Sequence, residues 1–268
     1  MSRDMRRISV LLIFGFFALL PACGGVEPHP PVHITIAGST SMQPLLQELA
    51  EAYTQRHEYV TIDVQAGDSR LGVKAIREGI TDIGMASREL SEEEGTNLQA
   101  IAIAEDGIAI LVNPQNEVNS LSLAEIERIF AGRILDWSEI GGELEEILVV
   151  SREEGSGTRE AFEGMVMRGK RVTLTAVVMP SSEAVRDFVA DNPQAIGYIS
   201  MGLISPGVKA VRVEEVGPSP ETLQRYPLVR PFLLLTRPEP NQEVRAFIEF
   251  ILSPAGQAIV GRKHGRVR

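Results

Sequence analysis

The sequence Ile-Leu-Val-Val-Ser-Arg-Glu-Glu-Gly-Ser-Gly-Thr-Arg, residues 147–159, predicts a strand, a loop and the start of a helix. Its first four residues are an apolar run typical of a short buried strand. In the loop, glycines allow close backbone approach, hydroxyls can donate hydrogen bonds, and an arginine fork matches a tetrahedral oxyanion. The loop residues concerned are Arg152, Gly155, Ser156, Gly157 and Thr158. The segment indicates anion binding at a helix start, although Ser156 could equally be only an N-cap.

Two further glycine-hydroxyl loops have the same setting. Gly38-Ser39-Thr40-Ser41 follows the strand-like run 34–37, and Gly67-Asp68-Ser69 follows the run 60–64. Each precedes a helical pattern, and Thr40 with Gln43 also fits a capping box. Three such loops could converge on one oxyanion at the carboxyl ends of parallel strands.

Strand-like and helix-like runs alternate along the chain, which predicts the α/β class. Ser122 and Glu125 predict a capping box for a helix reaching Phe130, and Trp137 is interpreted as a packing residue. The other predicted strands are 82–85, 101–104, 107–112, 176–179, 195–199, 210–213 and 230–236. The other predicted helices are 43–55, 71–78, 182–191, 242–252 and 254–261.

Further segments lie between and after the three loops, in this order along the chain: Asp82-Ile83-Gly84-Met85-Ala86-Ser87-Arg88, Asp106-Gly107-Ile108-Ala109, Val112-Asn113-Pro114, Ile129-Phe130-Ala131-Gly132, Asp136-Trp137-Ser138-Glu139-Ile140-Gly141-Gly142 and Ala195-Ile196-Gly197-Tyr198. Together with the loops, and over roughly Ile34 to Val260, they resemble the PstS-like phosphate-binding proteins of bacterial phosphate ABC transporters. The resemblance implies a two-lobed periplasmic-binding-protein (type II) fold with the ligand in a cleft between lobes that close on a hinge. It implies a first lobe of residues 33–110 with 230–268 and a second lobe of residues 111–229.

The resemblance also implies a phosphate-binding set at the matching positions. That set is Ser39, Thr40, Ser41, Ser69, Arg152, Ser156, Gly157 and Thr158. Some family members have an aspartate that accepts the proton of hydrogen phosphate, and Arg88 stands at that position here. Asp106 is the first candidate for a substitute acceptor, with a loop-turn residue as the alternative, and Asp68 is the second. Arg88 itself is either a second cationic contact or a surface residue paired with Glu89.

The N-terminus predicts an exported lipoprotein. Basic residues precede the apolar run 8–20, as in a secretory signal, and Cys23 follows Leu20-Pro21-Ala22 as in a lipobox. Residues 1–23 are the predicted signal peptide ending at the lipidated Cys23, and residues 24–32 are a proline-rich tether. An ordinary signal peptide with an incidental cysteine is the alternative.

The charge and the motif inventory narrow the function. The net charge is −10, and removing the leader with Arg3, Arg6 and Arg7 against Asp4 changes it to about −12, which is unfavourable for nucleic-acid binding. The four histidines have no zinc-site spacing, and neither a Gly-x-Ser-x-Gly elbow nor a Walker lysine occurs. We therefore expect no enzyme activity, no metal and no cofactor.

These observations predict a monomeric, lipid-anchored protein of the bacterial cell envelope, outside the cytoplasm. It would bind inorganic phosphate and deliver it to ABC permease subunits. The alternatives are a binder of another tetrahedral oxyanion, such as sulfate or molybdate, and a phosphate sensor or adhesion subunit without a transport role.

Overall fold

The protein is described here by a computed structural model that covers residues 30–267. The predicted signal, Cys23 and most of the tether lie outside the described residues. Within that part the strands are β1 Val32–Ser39, β2 Val60–Gly67, β3 Ile83–Ala86, β4 Gln99–Val112, β5 Ser120–Leu121, β6 Leu148–Arg152, β7 Val177–Met179, β8 Ala195–Ser200, β9 Lys209–Val213, β10 Val229–Thr236 and β11 Gly265–Arg266. The α-helices are α1 Gln43–Thr54, α2 Ser69–Arg77, α3 Glu92–Gly95, α4 Leu123–Phe130, α5 Gly157–Phe162, α6 Ser182–Asp191, α7 Gln242–Leu252 and α8 Pro254–Val260.

Short 3₁₀ and π turns complete the secondary structure. The 3₁₀ turns are Trp137–Ile140, Met201–Leu203 and Leu223–Arg225, and a π turn, Glu163–Met167, continues directly from α5. The predicted capping box at Ser122 and Glu125 is confirmed at the start of α4. Trp137 is 1% exposed and donates from its indole nitrogen to the Gln194 carbonyl at 3.1 Å, so its packing role is also confirmed.

The strands form a continuous curled sheet in the order β2-β1-β3-β10-β4-β8-β6-β7. In the first part β1 pairs in parallel with β2 and β3, and β10 returns antiparallel between β3 and β4. In the second part β8 runs antiparallel to β4 and parallel to β6, which pairs in parallel with β7. The parallel strands of each part end in loops that lead to helices, which is the setting for a ligand crevice.

Strand β4 connects the two parts of the sheet. Its residues up to Gly107 pair with β10, and from Ile108 onward they pair with β8. The prediction of two separate strands, 101–104 and 107–112, was therefore wrong, because Glu105 and Asp106 continue the strand instead of breaking it. The partner change lies close to the predicted lobe boundary at residue 110, and that boundary stays a prediction.

Each part of the sheet has its own hydrophobic core. One cluster packs α1 and α7 on β1 and β3, and it includes Leu46, Phe232 and Phe247. Another packs α4 and α5 on β6 and β8, and it includes Phe130 and Phe162. We call these the first and second lobes. A protein with two cores linked by few chain crossings can move one lobe against the other at low cost.

Candidate anion-binding site

The loops predicted to converge do meet, at the junction of the two lobes. The first lobe contributes the loops after β1 and β2, and the second contributes the loop after β6. All eight predicted ligand residues are buried, and Arg152 is among the most enclosed at 1% exposed. Buried polar side chains are costly unless they are hydrogen-bonded, so their partners decide what this site can do.

Hydroxyl groups from the two lobes contact each other directly. Ser41 Oγ lies 2.7 Å from Thr158 Oγ1 and 2.9 Å from Ser182 Oγ, both of which belong to the second lobe. Ser39 Oγ donates to Ser87 Oγ at 2.8 Å within the first lobe. A hydroxyl can reorient its proton to suit its partner, so this group of side chains can present donors to an oxyanion.

Arg152 lies at the end of β6 and reaches across the cleft. Its Nη2 donates to Thr40 Oγ1 at 3.2 Å, and its Nη1 donates to Ser182 Oγ at 2.9 Å. Its Nε and Nη2 also donate to the two Glu153 oxygens at 2.8 and 2.7 Å. Four of the five guanidinium N–H groups therefore have partners among the described residues. The arginine is held rigidly with its charge largely balanced.

Tyr198 fixes the strand end that carries Arg152. Its hydroxyl lies 2.8 Å from Ser151 Oγ and accepts from the Arg152 amide at 3.3 Å. Its ring stacks on Phe162 with centroids 4.2 Å apart. Burial raises the pKa of Tyr198 to about 12, so the phenol stays protonated and can serve as both donor and acceptor.

Gly157 and Gly38 permit the closest approaches in the site. A Cβ at Gly157 would lie 2.1 Å from Ser69 Oγ and 2.7 Å from Ser87 Oγ, so both serine side chains would have to move out of their present positions. Gly38 has a φ of 139°, and a Cβ there would lie 2.3 Å from the Met85 carbonyl oxygen. The glycines are thus required where the second-lobe loop meets the first lobe and where β1 turns toward its helix.

The two capping predictions at these loops had different outcomes. Ser156 does cap α5, because its side chain accepts from the Arg159 amide at 3.3 Å. Its own O–H proton remains available to donate. The capping box of Thr40 and Gln43 was wrong: α1 begins after Met42 without a side-chain cap, and the Thr40 hydroxyl faces Arg152 instead.

A family profile described as a PBP superfamily domain matches residues 25–255. The chain belongs to the PBP superfamily. The phosphate-binding protein PstS of Bacillus subtilis is 29% identical over 265 residues, covering 92% of this chain and 88% of that protein. A phosphate ABC transporter substrate-binding protein from Clostridium perfringens, solved with bound phosphate, is 38% identical, has a TM-score of 0.85, and covers 88% of this chain and 100% of that one.

A second solved structure, an ABC-type phosphate transport receptor from Vibrio cholerae, is 36% identical with a TM-score of 0.71. It covers 85% of this chain and 97% of that chain. The resemblance predicted from the ordered motifs is thereby confirmed, together with the two-lobed α/β fold class.

In this PBP-superfamily member Arg88 is neither a surface residue nor a contact within the hydroxyl cluster. It is 8% exposed, and its two terminal nitrogens each donate to a Glu94 oxygen at 2.8 Å. Those hydrogen bonds lower the pKa of Glu94. The predicted partner Glu89 contributes only its backbone carbonyl, at 2.9 Å. The Nε of Arg88 pairs with Glu160 of the second lobe. Arg88 therefore bridges the lobes beside the cleft.

Asp106 is not free to receive a ligand proton as predicted. Its Oδ2 accepts from Arg230 Nε at 3.1 Å and Nη2 at 2.9 Å. Its Oδ1 accepts from Ser200 Oγ at 2.7 Å and lies 3.1 Å from His264 Nδ1. With both oxygens engaged, the carboxylate balances Arg230. The alternative of a loop-turn residue was also wrong, because Asp106 lies inside β4.

Asp68, the second candidate acceptor, is a helix cap. Its carboxylate accepts from the Leu71 amide at 2.6 Å at the start of α2. It also lies close to Gly155, where a Cβ would be 2.8 Å from Oδ2. Asp68 thus helps to fit the second-lobe loop against the first lobe, at the edge of the hydroxyl cluster.

Three residues in the site were missed by sequence reasoning. Ser87 follows β3, Ser182 begins α6 after β7, and Arg230 lies in β10. Ser87 and Ser182 repeat the pattern of a strand followed by hydroxyls, so the signal that identified the other loops could have found them. Arg230 had no local signal, because only the antiparallel return of β10 brings it beside Ser87.

Residues 30–267 contain no group of three or more His, Cys, Asp and Glu side chains arranged to hold a metal ion. Over the same residues, every helix is too short or too polar to cross a membrane.

Proposed function

We propose that this protein captures inorganic phosphate between its lobes and delivers it to an ABC permease. The observation that carries the proposal is the convergence of buried hydroxyls from both lobes on Arg152. The relatives that are named phosphate-binding proteins agree with it. The proposed ligands are Ser39, Thr40, Ser41, Ser69, Arg152, Ser156, Gly157 and Thr158.

The chemistry of this set suits a small tetrahedral oxyanion. Six hydroxyl side chains and one guanidinium offer many donors in a small volume, and four phosphate oxygens can accept them all. Since Glu153 balances Arg152, affinity would come from directional hydrogen bonds more than from net charge. Such bonds are stronger in a buried site than in water. This explains how a chain of net charge −10 would hold an anion.

Contacts across the cleft link binding to lobe closure. Ser41 meets Thr158, and Thr40 meets Arg152, so each lobe holds only part of the ligand set. A ligand that hydrogen-bonds to both parts stabilises the closed arrangement over the open one. The closed protein would be the form that the permease recognises. We propose a binding role without catalysis.

Another tetrahedral oxyanion, such as sulfate, is the second candidate. It is favoured by one observation: Asp106, the first candidate for a proton acceptor, has both carboxylate oxygens engaged by protein donors. A carboxylate that is already occupied by protein donors repels a fully ionised anion less strongly than a free one. The donor-rich cleft suits both ions, so their relative affinities must be measured.

Titration calorimetry on the phosphate-stripped mature domain tests the proposal. We expect saturable 1:1 binding of phosphate and much weaker binding of sulfate and molybdate at the same ionic strength. Tighter sulfate binding would assign the protein to the second candidate, and failure of all three anions to bind would refute oxyanion capture altogether.

The location of the protein is part of the same proposal. The lipobox-like Leu20-Pro21-Ala22-Cys23 would attach the chain to a membrane through a lipid on Cys23, and the tether would hold the domain outside the cytoplasm. The domain would act as a monomer beside its permease.

A further inference from the structure

Ser87 lies among the proposed ligands of both lobes, although it was not among the ligands predicted from the sequence. Its Oγ is 2.8 Å from Ser39 Oγ and 3.4 Å from Ser69 Oγ, and it lies 2.7 Å from where a Cβ of Gly157 would be. The side chain is fully buried. Any anion held by these three neighbours would therefore be within reach of the Ser87 hydroxyl.

The partners of Ser87 determine which way its hydroxyl can act. A serine oxygen accepts two hydrogen bonds and donates one. Ser39 Oγ donates to it at 2.8 Å, and Arg230 Nη1 donates to it at 3.2 Å, so both acceptor positions are filled. The remaining contact, to Ser69 Oγ at 3.4 Å, is longer than an ordinary O–H···O hydrogen bond. The Ser87 proton is thus left to donate to a further acceptor.

Arg230 is held in place by Asp106. Its Nε and Nη2 both donate to Asp106 Oδ2, and its Nη1 donates to the Ser87 carbonyl oxygen at 3.0 Å and to Ser87 Oγ at 3.2 Å. Both charged side chains are fully buried in this pair. One edge of the planar guanidinium thus satisfies a buried carboxylate, while Nη1 at the other side fixes the rotamer of Ser87.

We propose that Ser87 is a further phosphate ligand that donates to an unprotonated oxygen of the anion, and that Arg230 is the residue that positions it. The inference rests on the proposed function and adds to its ligand set the first-lobe loop that follows β3. Asp106 then influences the bound anion only through Arg230 and Ser87. The first-lobe side of the cleft has a chain of fixed donors where a carboxylate acceptor was expected.

Paired serine variants test the inference. Ser200 is a matched control, because it is also fully buried and also belongs to the Asp106 network, but its hydroxyl donates to Asp106 Oδ1. Calorimetry should find phosphate affinity about tenfold lower in Ser87→Ala, the effect of losing one hydrogen bond to a charged group. Ser200→Ala should keep the parental affinity. Thermal unfolding of all three proteins without phosphate shows whether each variant is folded.

The outcomes distinguish a failure of the proposed function from a failure of the proposed role of Ser87. A parent protein that does not bind phosphate would refute the proposed function. A parent that binds phosphate with a Ser87→Ala variant of equal affinity would refute only the role of Ser87. Equal losses of affinity in Ser87→Ala and Ser200→Ala would also refute it, since that result indicates a general effect of disturbing the network.

A conservative change tests the positioning role of Arg230. Arg230→Lys keeps a charge beside Asp106, but one ammonium group cannot reproduce a fork that holds Asp106 and Ser87 together. We expect a loss of affinity similar to that of Ser87→Ala, and no further loss when both changes are combined. Losses that multiply in the double variant would show that Arg230 does not act through Ser87.

Discussion

Arg152 brings a cation into the cleft, but Glu153 accepts two of its N–H groups. The pair is almost completely enclosed on the arginine side, with the Arg152 side chain 2% exposed. A balanced pair attracts an anion weakly at a distance and holds it through geometry once it has entered. The consequence is that removing one donor should cost more affinity than changing the surface charge.

Arg152→Ala tests whether Arg152 binds phosphate directly. Hydrogen bonds to charged groups contribute about 1.5–3 kcal/mol each, so phosphate affinity should fall roughly tenfold or more. Arg212→Ala is a suitable control, because Arg212 is half exposed and pairs with Glu215 on the surface. Calorimetry on both variants checks the prediction. Equal affinities in the two variants would contradict a direct role for Arg152.

Asp106→Asn should lower the stability of the fold more than it changes the selectivity between phosphate and sulfate. Asp106 balances the fully buried Arg230, and breaking a buried ion pair by removing one charge costs about 3–5 kcal/mol. We expect a large fall in the melting temperature and a phosphate-to-sulfate affinity ratio close to that of the parent. A stable variant whose phosphate-to-sulfate affinity ratio is clearly smaller than that of the parent would indicate that Asp106 accepts the ligand proton directly.

Helix α5 links the two lobes through the ion pairs of Glu160. One Glu160 oxygen pairs with Arg88 and the other with Arg70 at 3.3 Å, and both arginines belong to the first lobe. Arg88 is itself held by Glu94. The helix that carries the Ser156–Thr158 loop is thus tied to the opposite lobe beside the ligand site.

Glu160→Gln should release phosphate faster than the parent does. Partly exposed ion pairs contribute up to about 1 kcal/mol each and Glu160 makes two, so the dissociation rate should rise by a factor of about thirty at most, and less at high salt. Glu163→Gln is a matched control, since Glu163 lies on the adjoining turn and pairs with Arg159 of its own lobe. Stopped-flow release measurements compare the two. Equal rates in both variants would show that the Glu160 ion pairs do not hold the lobes closed.

Gly157→Ala tests the close approach of the second-lobe loop. The added Cβ would collide with Ser69 Oγ, which belongs to the opposite lobe, so the change should oppose closure and weaken phosphate binding strongly. Gly164→Ala is the control, because nothing lies within 4 Å of a Cβ at that position. Calorimetry measures affinity, and small-angle scattering in saturating phosphate measures closure. Normal closure in Gly157→Ala would refute this account.

Local pattern predicted many elements within a residue or two. Helices 182–191 and 242–252 have the predicted bounds, because their apolar spacing and flanking polar caps agree. Strand β4 was divided because Glu105 and Asp106 resemble a break in an apolar run. Their place in a strand depends on Arg230, which is more than a hundred residues away in the chain. Local periodicity does not reveal an ion pair between residues that are far apart in the sequence.

Local sequence patterns also predict the binding site only in part, because the whole molecule brings its residues together. Each glycine-hydroxyl loop could be recognised locally, and parallel strands explain why the loops meet. The roles of Arg88, Asp106 and Asp68 could not be predicted, because each depends on a partner brought near by the fold. The connection between lobes also explains why closure and binding should be coupled in thermodynamic measurements.

Lipid attachment is a whole-molecule prediction that concerns the region before the described residues. Cys23→Ser should move the protein from the membrane fraction to the soluble extracytoplasmic fraction, because the acidic domain would lose its anchor. Fractionation after a high-salt wash measures this. Membrane retention of the variant at parental levels would show that Cys23 is not the attachment site.

Phosphate should stabilise the two lobes together. Since only the closed protein presents all the donors, saturation at 100 times Kd should add about 2.7 kcal/mol to the free energy of unfolding. For a domain of this size each kcal/mol raises the melting temperature by about 2–4 °C, so the expected rise is roughly 5–10 °C. Thermal unfolding with phosphate, sulfate and chloride at matched ionic strength measures it. The rise should be largest for phosphate and small in Gly157→Ala. An equal rise with all three ions would indicate a general salt effect and would refute specific capture in the cleft.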